Sequence, residues 1–383
     1  MTTETRKRVA FFMPSLMGGG VERVLLRLAI GFAERGCEVD LVVAKAQRSA
    51  QGGSYLTQVP DGVRLIDLGQ SRIFLSLPGL VSYLRRAKPD ALLSGMEHVN
   101  LIAIWAKMLA GVATRVTIGV HNTESVCREG SSVKRAVIRW FLMRLWRRAD
   151  GIVAVSKGVA DDYAPYMRIP REAIRVIYNP AIAPAIAEQA AAAPRHPWFV
   201  EKTTPVIVSA GRLTTAKNHM LLINAMPAVH AQTGARLVII GEGPERERLT
   251  AAIRRAGLEK AVDLPGFDDN PFSLMKRADA FVLCSAWEGL PTVLIEALSL
   301  GTPIVSTDCP SGPAEILEGG KWGRLVPVDD APALARAIVE TLSEPRRNGG
   351  AARADMFSVD NIIREYSDAL RIPIGPDAGT EPA

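Results

Sequence analysis

The sequence predicts an α/β protein built from two doubly wound parallel-sheet domains, and three observations carry that expectation. Its 383 residues exceed the usual length of one domain, so two are expected. Apolar runs recur with a glycine turn and a helix-like segment behind them, at residues 9–24, 205–219 and 237–249. Around residues 280–307 the strand–helix–strand order can be bounded residue by residue. Runs 280–285 (A-F-V-L-C-S) and 303–307 (P-I-V-S-T) are apolar and flanked by turn residues. Between them Pro291 suits the first turn of a helix and Gly301 the position just past its end, which sets the helix at 291–300. That order implies a parallel βαβ unit.

From the amino end, residues 9–24 (V-A-F-F-M-P-S-L-M-G-G-G-V-E-R-V) read as a strand and a glycine loop that opens a helix. Glycine lets a backbone approach phosphate or sugar closely, which makes Gly19 and Gly20 candidates, although three glycines in a row also make a plain turn. Neither G-x-G-x-x-G nor G-x-x-x-x-G-K-[ST] is present. The run I-G-V-H-N-T-E from residue 118 places His121 at the end of an apolar stretch, where a lone histidine is also compatible with a structural or solvated role. Residues 134–148 (K-R-A-V-I-R-W-F-L-M-R-L-W-R-R) carry Lys134, Arg135, Arg139, Arg144, Arg147 and Arg148 with Trp140, Phe141 and Trp146, and no acid. Two readings stand. Such a helix can lie among lipid headgroups, each cation contributing ~1 kcal/mol on an anionic leaflet. It can equally pack an apolar stripe on the sheet and leave its basic face in water. Ser156 in I-V-A-V-S-K and Asn179 in V-I-Y-N-P read as turn-forming.

The Ala/Pro-rich stretch 181–202 reads as a linker whose alanines also suit a short helix. Behind it, S-A-G-R-L-T-T-A-K-N-H (209–219) follows a strand-like P-V-I-V and sets Arg212 and Lys217 in the next loop. Arginine offers phosphate a rigid fork and lysine a point charge. L-V-I-I-G-E-G-P-E-R-E-R-L (237–249) is strand, glycine turn and charged helix start, with Gly241 and Glu242 in the turn; D-L-P-G-F ends on Phe267. E-G-L-P-T-V-L-I-E then places Glu288, Gly289, Leu290 and Pro291 in the strand-to-helix loop, and Thr292 and Glu296 in the helix. In open α/β sheets ligands bind outside the carboxyl ends of the strands, and free amides there favour an anion. Two isolated glutamates would also fit as solvated helix-end acids. In C-P-S-G-P-A-E-I-L (309–317), Cys309 reads as a small packed residue, because no activating base stands near it. A last helix is expected over 359–370 and a disordered tail over 373–383.

Composition narrows the class. A hydrophobic content of 48% with 22% charged residues fits a globular chain with substantial cores. Residues 1–180 hold 26 Lys and Arg against 15 Asp and Glu, a net +11, whereas the remainder carries −5. A basic half attracts anionic partners. No recognised nucleic-acid motif accompanies the charge, so nucleic acid is not an expected partner. No segment approaches the ~20 apolar residues that span a bilayer, which leaves a cytoplasmic, peripheral protein as the expectation. Residues 9–17 follow basic residues as a signal peptide would, yet the glycine loop and helix behind them favour a first strand. Cysteines at 37, 127, 284 and 309 are widely spaced and suggest neither a disulfide framework nor a zinc site, and no D-x-D occurs to hold a metal.

Taken in this order, the motifs resemble those of the retaining, GT-B-fold glycosyltransferases of family 4. The 309–317 turn, with Ser311, Gly312 and Pro313 where many members have paired glycines, resembles the form found in polysaccharide-assembly transferases. The resemblance implies two Rossmann-like domains facing across a cleft: an acceptor domain over 1–180, a linker over 181–202 and a donor domain over 203–355. It also implies a helix over 356–372 that crosses back to the first domain. A nucleoside diphosphate sugar, UDP-linked, would be the donor, with no cofactor and no obligatory metal. Glu296 would bind the ribose, Glu288 would lie beside the donor sugar, and Arg212 and Lys217 would hold the diphosphate. The Gly241–Glu242 turn and Phe267 would border the base, Gly19 and Gly20 would meet diphosphate or acceptor, and His121 would approach the sugar's hydroxymethyl side. The 311–313 loop would face the donor sugar. An anionic, polyprenyl-diphosphate-linked glycan at the inner membrane surface would be the acceptor. Two alternatives remain from the residues: an epimerase or hydrolase of nucleotide sugars on the same fold, and a noncatalytic membrane-associated scaffold.

Overall fold

The computed structural model describes residues 6–17, 19–46, 55–126, 132–346 and 349–375. The chain divides into two compact units, one of Met1–Pro180 with Val359–Ala383 and the other of Ala181–Ser358.

The first unit is a seven-stranded sheet in the order β3-β2-β1-β4-β5-β6-β7, and every pair is parallel. Its strands are β1 (Arg8–Met13), β2 (Glu38–Val43), β3 (Val63–Asp67), β4 (Ala91–Gly95), β5 (Arg115–Val120), β6 (Gly151–Ala154) and β7 (Ile174–Val176). The helices between them are α1 (Gly20–Glu34), α2 (Leu77–Ala87), α3 (Glu97–Ala110), α4 (Ser132–Leu145) and α5 (Lys157–Met167). Residues 9–13 of β1 are fully buried because helices cover both faces of a parallel sheet, so the strand reads as a continuous apolar run. The strand order reverses between β1 and β4, and at such a switch point the loops at the carboxyl ends diverge and leave a crevice. Ser156 is the N-cap of α5, its hydroxyl accepting from Val159 N at 3.1 Å.

The second unit holds six parallel strands in the order β10-β9-β8-β11-β12-β13. Chain order gives α6 (Ala185–Ala191), α7 (Pro197–Val200), β8 (Val206–Ala210), α8 (His219–Thr233), β9 (Arg236–Ile240), α9 (Arg246–Arg255), β10 (Val262–Gly266) and α10 (Phe272–Arg277). After these come β11 (Ala280–Leu283), α11 (Thr292–Ser299), β12 (Ile304–Thr307), α12 (Pro313–Ile316), β13 (Arg324–Val326), α13 (Ala331–Ser343) and α14 (Gly350–Ala354). A core of Ile207, Leu222, Met226, Leu237, Val282 and Ile338 fills the space between sheet and helices.

The segment 181–202 is no open linker. Ile186, Ala190 and Phe199 are buried, and Arg277 donates to the carbonyls of Ala190 at 2.9 Å and Ala191 at 3.3 Å, which fastens α6 to α10. The second unit therefore begins at residue 181 rather than 203 and runs to 358 rather than 355. Helix α11 begins at Thr292, one residue later than its proline suggests, with Pro291 as N-cap. The last helix, α15 (Val359–Leu370), belongs to the first unit and supplies Ile362, Ile363, Tyr366 and Leu370 to its core. It crosses so close to α1 that a Cβ on Gly31 would overlap Ile363. Arg35, the C-cap of α1, pairs with Asp360 across the same contact. Of the tail read as disordered, residues 376–383 lie outside the described residues.

Candidate functional site

In the second unit the site is assembled at the carboxyl ends of β8, β11 and β12. The loop after β8 makes a 3-10 turn, Thr215–Lys217, and enters α8 through Asn218 in the left-handed conformation, φ +48°, which asparagine tolerates. The loop is tied to the end of β11: Ala286 N donates to Ala216 O at 2.8 Å, and the Cys284 thiol to Lys217 O at 3.2 Å. These ties fix Lys217, whose Nζ lies 2.5 Å from Glu288 Oε1. Ser285 donates to the same oxygen at 2.6 Å. With side chains 22% and 11% exposed, this ion pair is shielded well beyond an ordinary surface pair. Arg212, in the same loop, is exposed.

Glycines set the distances between the loops. Gly241 has φ +144° and touches the carbonyl of Gly211, where a Cβ would overlap, so the turns after β8 and β9 lie backbone to backbone. Gly312 has φ +95°, and a Cβ there would strike the ring of Pro291. Ser311 donates to Gly289 O at 2.8 Å. The 309–313 loop is thereby clamped onto the 288–291 loop, and Pro313 begins α12 directly behind it. Leu290 is buried and Thr292 opens α11, whose free amides make its N-terminus favourable for an anion. Glu296 is 2% exposed, so any ligand group that meets it must reach into the base of the loop. At the ends of β9 and β10, Arg246 grips Glu242 through two bonds of 2.7 and 2.6 Å, and Phe267 stands 58% exposed.

In the first unit, His121 follows β5 directly. Its imidazole rests on a floor of Gly95 and Gly119, and a Cβ on either glycine would come within 2.9 Å of Nε2. The same position on Gly95 would meet Val21 Cγ1 at 2.9 Å, so His121 and the start of α1 share one place. Gly19 is the extended N-cap of that helix, and the side chain of Glu22 folds over it into the space a Cβ would need. Gly20, the first helical residue, is open on its Cβ side. Burial pushes the His121 imidazole down to about 4, so it is neutral near pH 7 and has hydrogen bonding, not charge, to offer.

Helix α4 combines both readings of its sequence. Ile138 and Leu142 are buried and Phe141 makes an edge contact with Trp105 of α3, ring centroids 5.2 Å apart, so the apolar stripe packs inward. Outward it shows Val133, 71% exposed, Val137 and Trp140, 48% exposed. Arg144 stacks on Trp140 at 3.6 Å, Lys134 sits over Phe74, and Arg139 lies on Tyr166 at 4.3 Å. Arg135 is partly buried, whereas Arg147 and Arg148 are exposed beyond the helix end.

Sequence reasoning missed Ser285 and Arg246. The three-residue spacing from Ser285 to Glu288 was a usable signal, whereas the grip of Arg246 on Glu242 emerges only once the turn is folded. Cys284 and Cys309 are buried thiols pushed up to about 12 by desolvation, which makes them packing residues. Among the described residues no group of His, Cys, Asp and Glu side chains could hold a metal ion, and no helix is long and apolar enough to cross a membrane.

Residues 18–181 match the family described as Glycosyltransferase Family 4, and residues 194–356 match Glycosyl transferases group 1. The chain is 29% identical over 384 residues to an N-acetylgalactosamine-N,N'-diacetylbacillosaminyl-diphospho-undecaprenol 4-alpha-N-acetylgalactosaminyltransferase of Campylobacter jejuni, covering 96% of this chain and 100% of the relative. It is 27% identical to the lipopolysaccharide core biosynthesis glycosyltransferase LpsE of Rhizobium meliloti, over 85% of this chain and 86% of that one. Among solved structures, Anabaena HepE in complex with UDP-glucose superposes with a TM-score of 0.78 at 19% identity, covering 95% of this chain and 99% of that one. The lipopolysaccharide outer core galactosyltransferase WaaB gives a TM-score of 0.70 at 21% identity, over 95% and 99%. Two parallel sheets of seven and six strands, with family matches that together take in most of the sequence, place this chain among the GT-B glycosyltransferases of groups 1 and 4, to which it belongs.

Proposed function

We propose that the protein transfers a sugar from a nucleoside diphosphate sugar, UDP-linked, to a hydroxyl of a polyprenyl-diphosphate-linked glycan, with retention at the anomeric carbon. The carrying observation is the shielded Lys217–Glu288 pair, held beside exposed Arg212 at the mouth of the strand ends. In this reading the anomeric C–O bond to phosphate breaks as the acceptor oxygen bonds to the same face of that carbon. The acceptor's proton passes to a leaving diphosphate oxygen. Arg212 and Lys217 stabilise the charge that gathers on the diphosphate, which is the largest electrostatic demand of the step, so the reading requires no metal. Glu288 orients Lys217 through their ion pair. Phe267 offers an exposed ring to the base and Glu296 a carboxylate to the ribose.

The acceptor class is supported by the Campylobacter relatives, whose names specify undecaprenol-diphosphate glycans, and by the basic first unit. The outward face of α4, with arginine and lysine stacked on aromatic rings, suits an anionic bilayer surface, which would place the protein on the inner face of the cell membrane. Calorimetric titration with UDP, GDP and ADP tests the donor half. UDP is expected to bind tightest, and Arg212→Ala to weaken it about tenfold or more, as expected for loss of a charge-assisted bond. Binding of none of the three, or no effect of Arg212→Ala, would sink the reading.

A further inference from the structure

The second unit carries a cavity away from the donor loops, at the amino-terminal ends of its strands. Its volume is about 410 Å³; Lys202, Lys276, Arg277 and Arg346 line it, with Ala190, Ala191 and Phe199 as an apolar wall. Lys202 lies four residues before β8, and Asp279, one residue before β11, accepts from Val206 N at 2.7 Å and from Lys202 at 2.9 Å. The loops that hold Lys217 and Glu288 leave the other ends of these two strands, roughly 15 Å away along the five residues of β8. Neutral carbonyls fix the cations in place. Arg277 donates to Ala190 O and Ser273 O at 2.9 Å and to Ala191 O at 3.3 Å, and Arg346 to Ala278 O at 2.7 Å and Lys276 O at 3.4 Å. Lys202 donates to Arg277 O at 2.8 Å. A guanidinium has five N–H donors, so after three and two such bonds Arg277 keeps two and Arg346 three for another partner.

These side chains also cap the carboxyl ends of α6 and α10, where cations suit the helix dipole. Capping does not absorb the charge. Of the four cations one is matched by Asp279, and each short helix end supplies at most about half a negative charge, which leaves about +2. No acid lines the cavity, and among the described residues no carboxylate pairs with Lys276, Arg277 or Arg346; Glu344, close in sequence, is held by Arg324. Nor is the excess a general basic surface, because residues 181–383 hold 20 Lys and Arg against 25 Asp and Glu, a net −5. A phosphate monoester carries about −1.5 to −2 near pH 7, which matches the excess, whereas a single carboxylate matches half of it. Arginine presents a fork to phosphate oxygens, and the wall of Phe199, Ala190 and Ala191 suits the organic group the phosphate carries. We propose that this cavity binds the phosphate group of a small phosphate monoester, at a place separate from the donor loops. A soluble ester and a lipid headgroup present the same chemistry there, and the experiment separates them.

The test is calorimetric titration of the full chain at low salt with sn-glycerol 3-phosphate, with glycerol as the uncharged control. Its lipid arm is co-sedimentation with phosphatidylcholine vesicles with and without phosphatidic acid, the same ester carrying acyl chains. Glycerol 3-phosphate is expected to bind and glycerol not. Lys276→Gln with Arg346→Gln, both on exposed side chains, should weaken that binding about tenfold. Titrations are repeated in Arg212→Ala, so that phosphate held by the donor loop is told apart from phosphate in the cavity. Binding of the soluble ester that the double variant weakens assigns the cavity to a free metabolite. No binding of the soluble ester, with association to phosphatidic acid vesicles about tenfold lower in the double variant, assigns it to a lipid headgroup, because α4 is unaltered in both proteins. If the double variant matches wild type with both probes, the cavity is no phosphate site, and if Arg212→Ala alone abolishes binding of the ester, that binding belongs to the donor loop; either result overturns the proposal.

Discussion

Glu124 shows how one shielded acid ties stability to pH. Its carboxyl is raised to about 8 from an ordinary 4.5, so between those values the folded protein binds a proton that the unfolded chain has released. The stabilisation this gives is whole below about pH 4.5, declines as pH rises and is gone above about pH 8. Glu124→Gln removes the linkage. We expect its melting temperature to gain on wild type by at least about 3 °C between pH 5 and pH 9; a constant difference would show that the acid is not buried as described. The same residue shows where sequence reading stops. Lys217, Glu288 and Gly312 could be found because each sits in a glycine-punctuated string behind an apolar run, a pattern that requires one backbone path. Glu97 and Glu124 look locally like a helix-start acid and a loop acid. What sets them apart is the covering of Tyr163 and α4, from residues up to 66 positions away, which no window of sequence contains.

At the scale of elements, strands were legible wherever burial on both faces turns them into unbroken apolar runs, as in β1, β8 and β11. Helix ends were legible where proline and glycine mark them, to within the one residue by which Pro291 became a cap. The segment 181–202 was misread because alanine and proline are the composition of connectors, while its anchor, Arg277, lies far along the chain. The crossing of α1 and α15 has a direct test. Gly31 leaves no room for a side chain against Ile363, so Gly31→Val should separate the helices and cost about 1–3 kcal/mol, measured by denaturant unfolding. A variant as stable as wild type would mean that α15 does not dock there as described.

For the whole molecule, net charge is as informative as any motif. An excess of eleven cations in residues 1–180 was visible in the sequence, but which of them face water was not, because the apolar stripe of α4 could have been turned either way. With the helix in place, the proposed membrane seat predicts co-sedimentation with vesicles containing anionic lipid and much less with neutral ones. Binding should fall steeply between about 0.05 and 0.5 M salt, as screening predicts. Trp140→Ala with Arg144→Glu should reduce it about tenfold, while equal binding to neutral vesicles would count against the seat.

The division of the chain also bears on its synthesis. The second unit is one unbroken stretch, whereas the first needs α15 to complete its core. On the ribosome, the segment translated first must therefore wait for the last helix to emerge, at about 5–20 residues per second, with the apolar face of α1 unshielded in the meantime. The later-made unit can close before the earlier one, which makes the nascent first half the natural client of a chaperone.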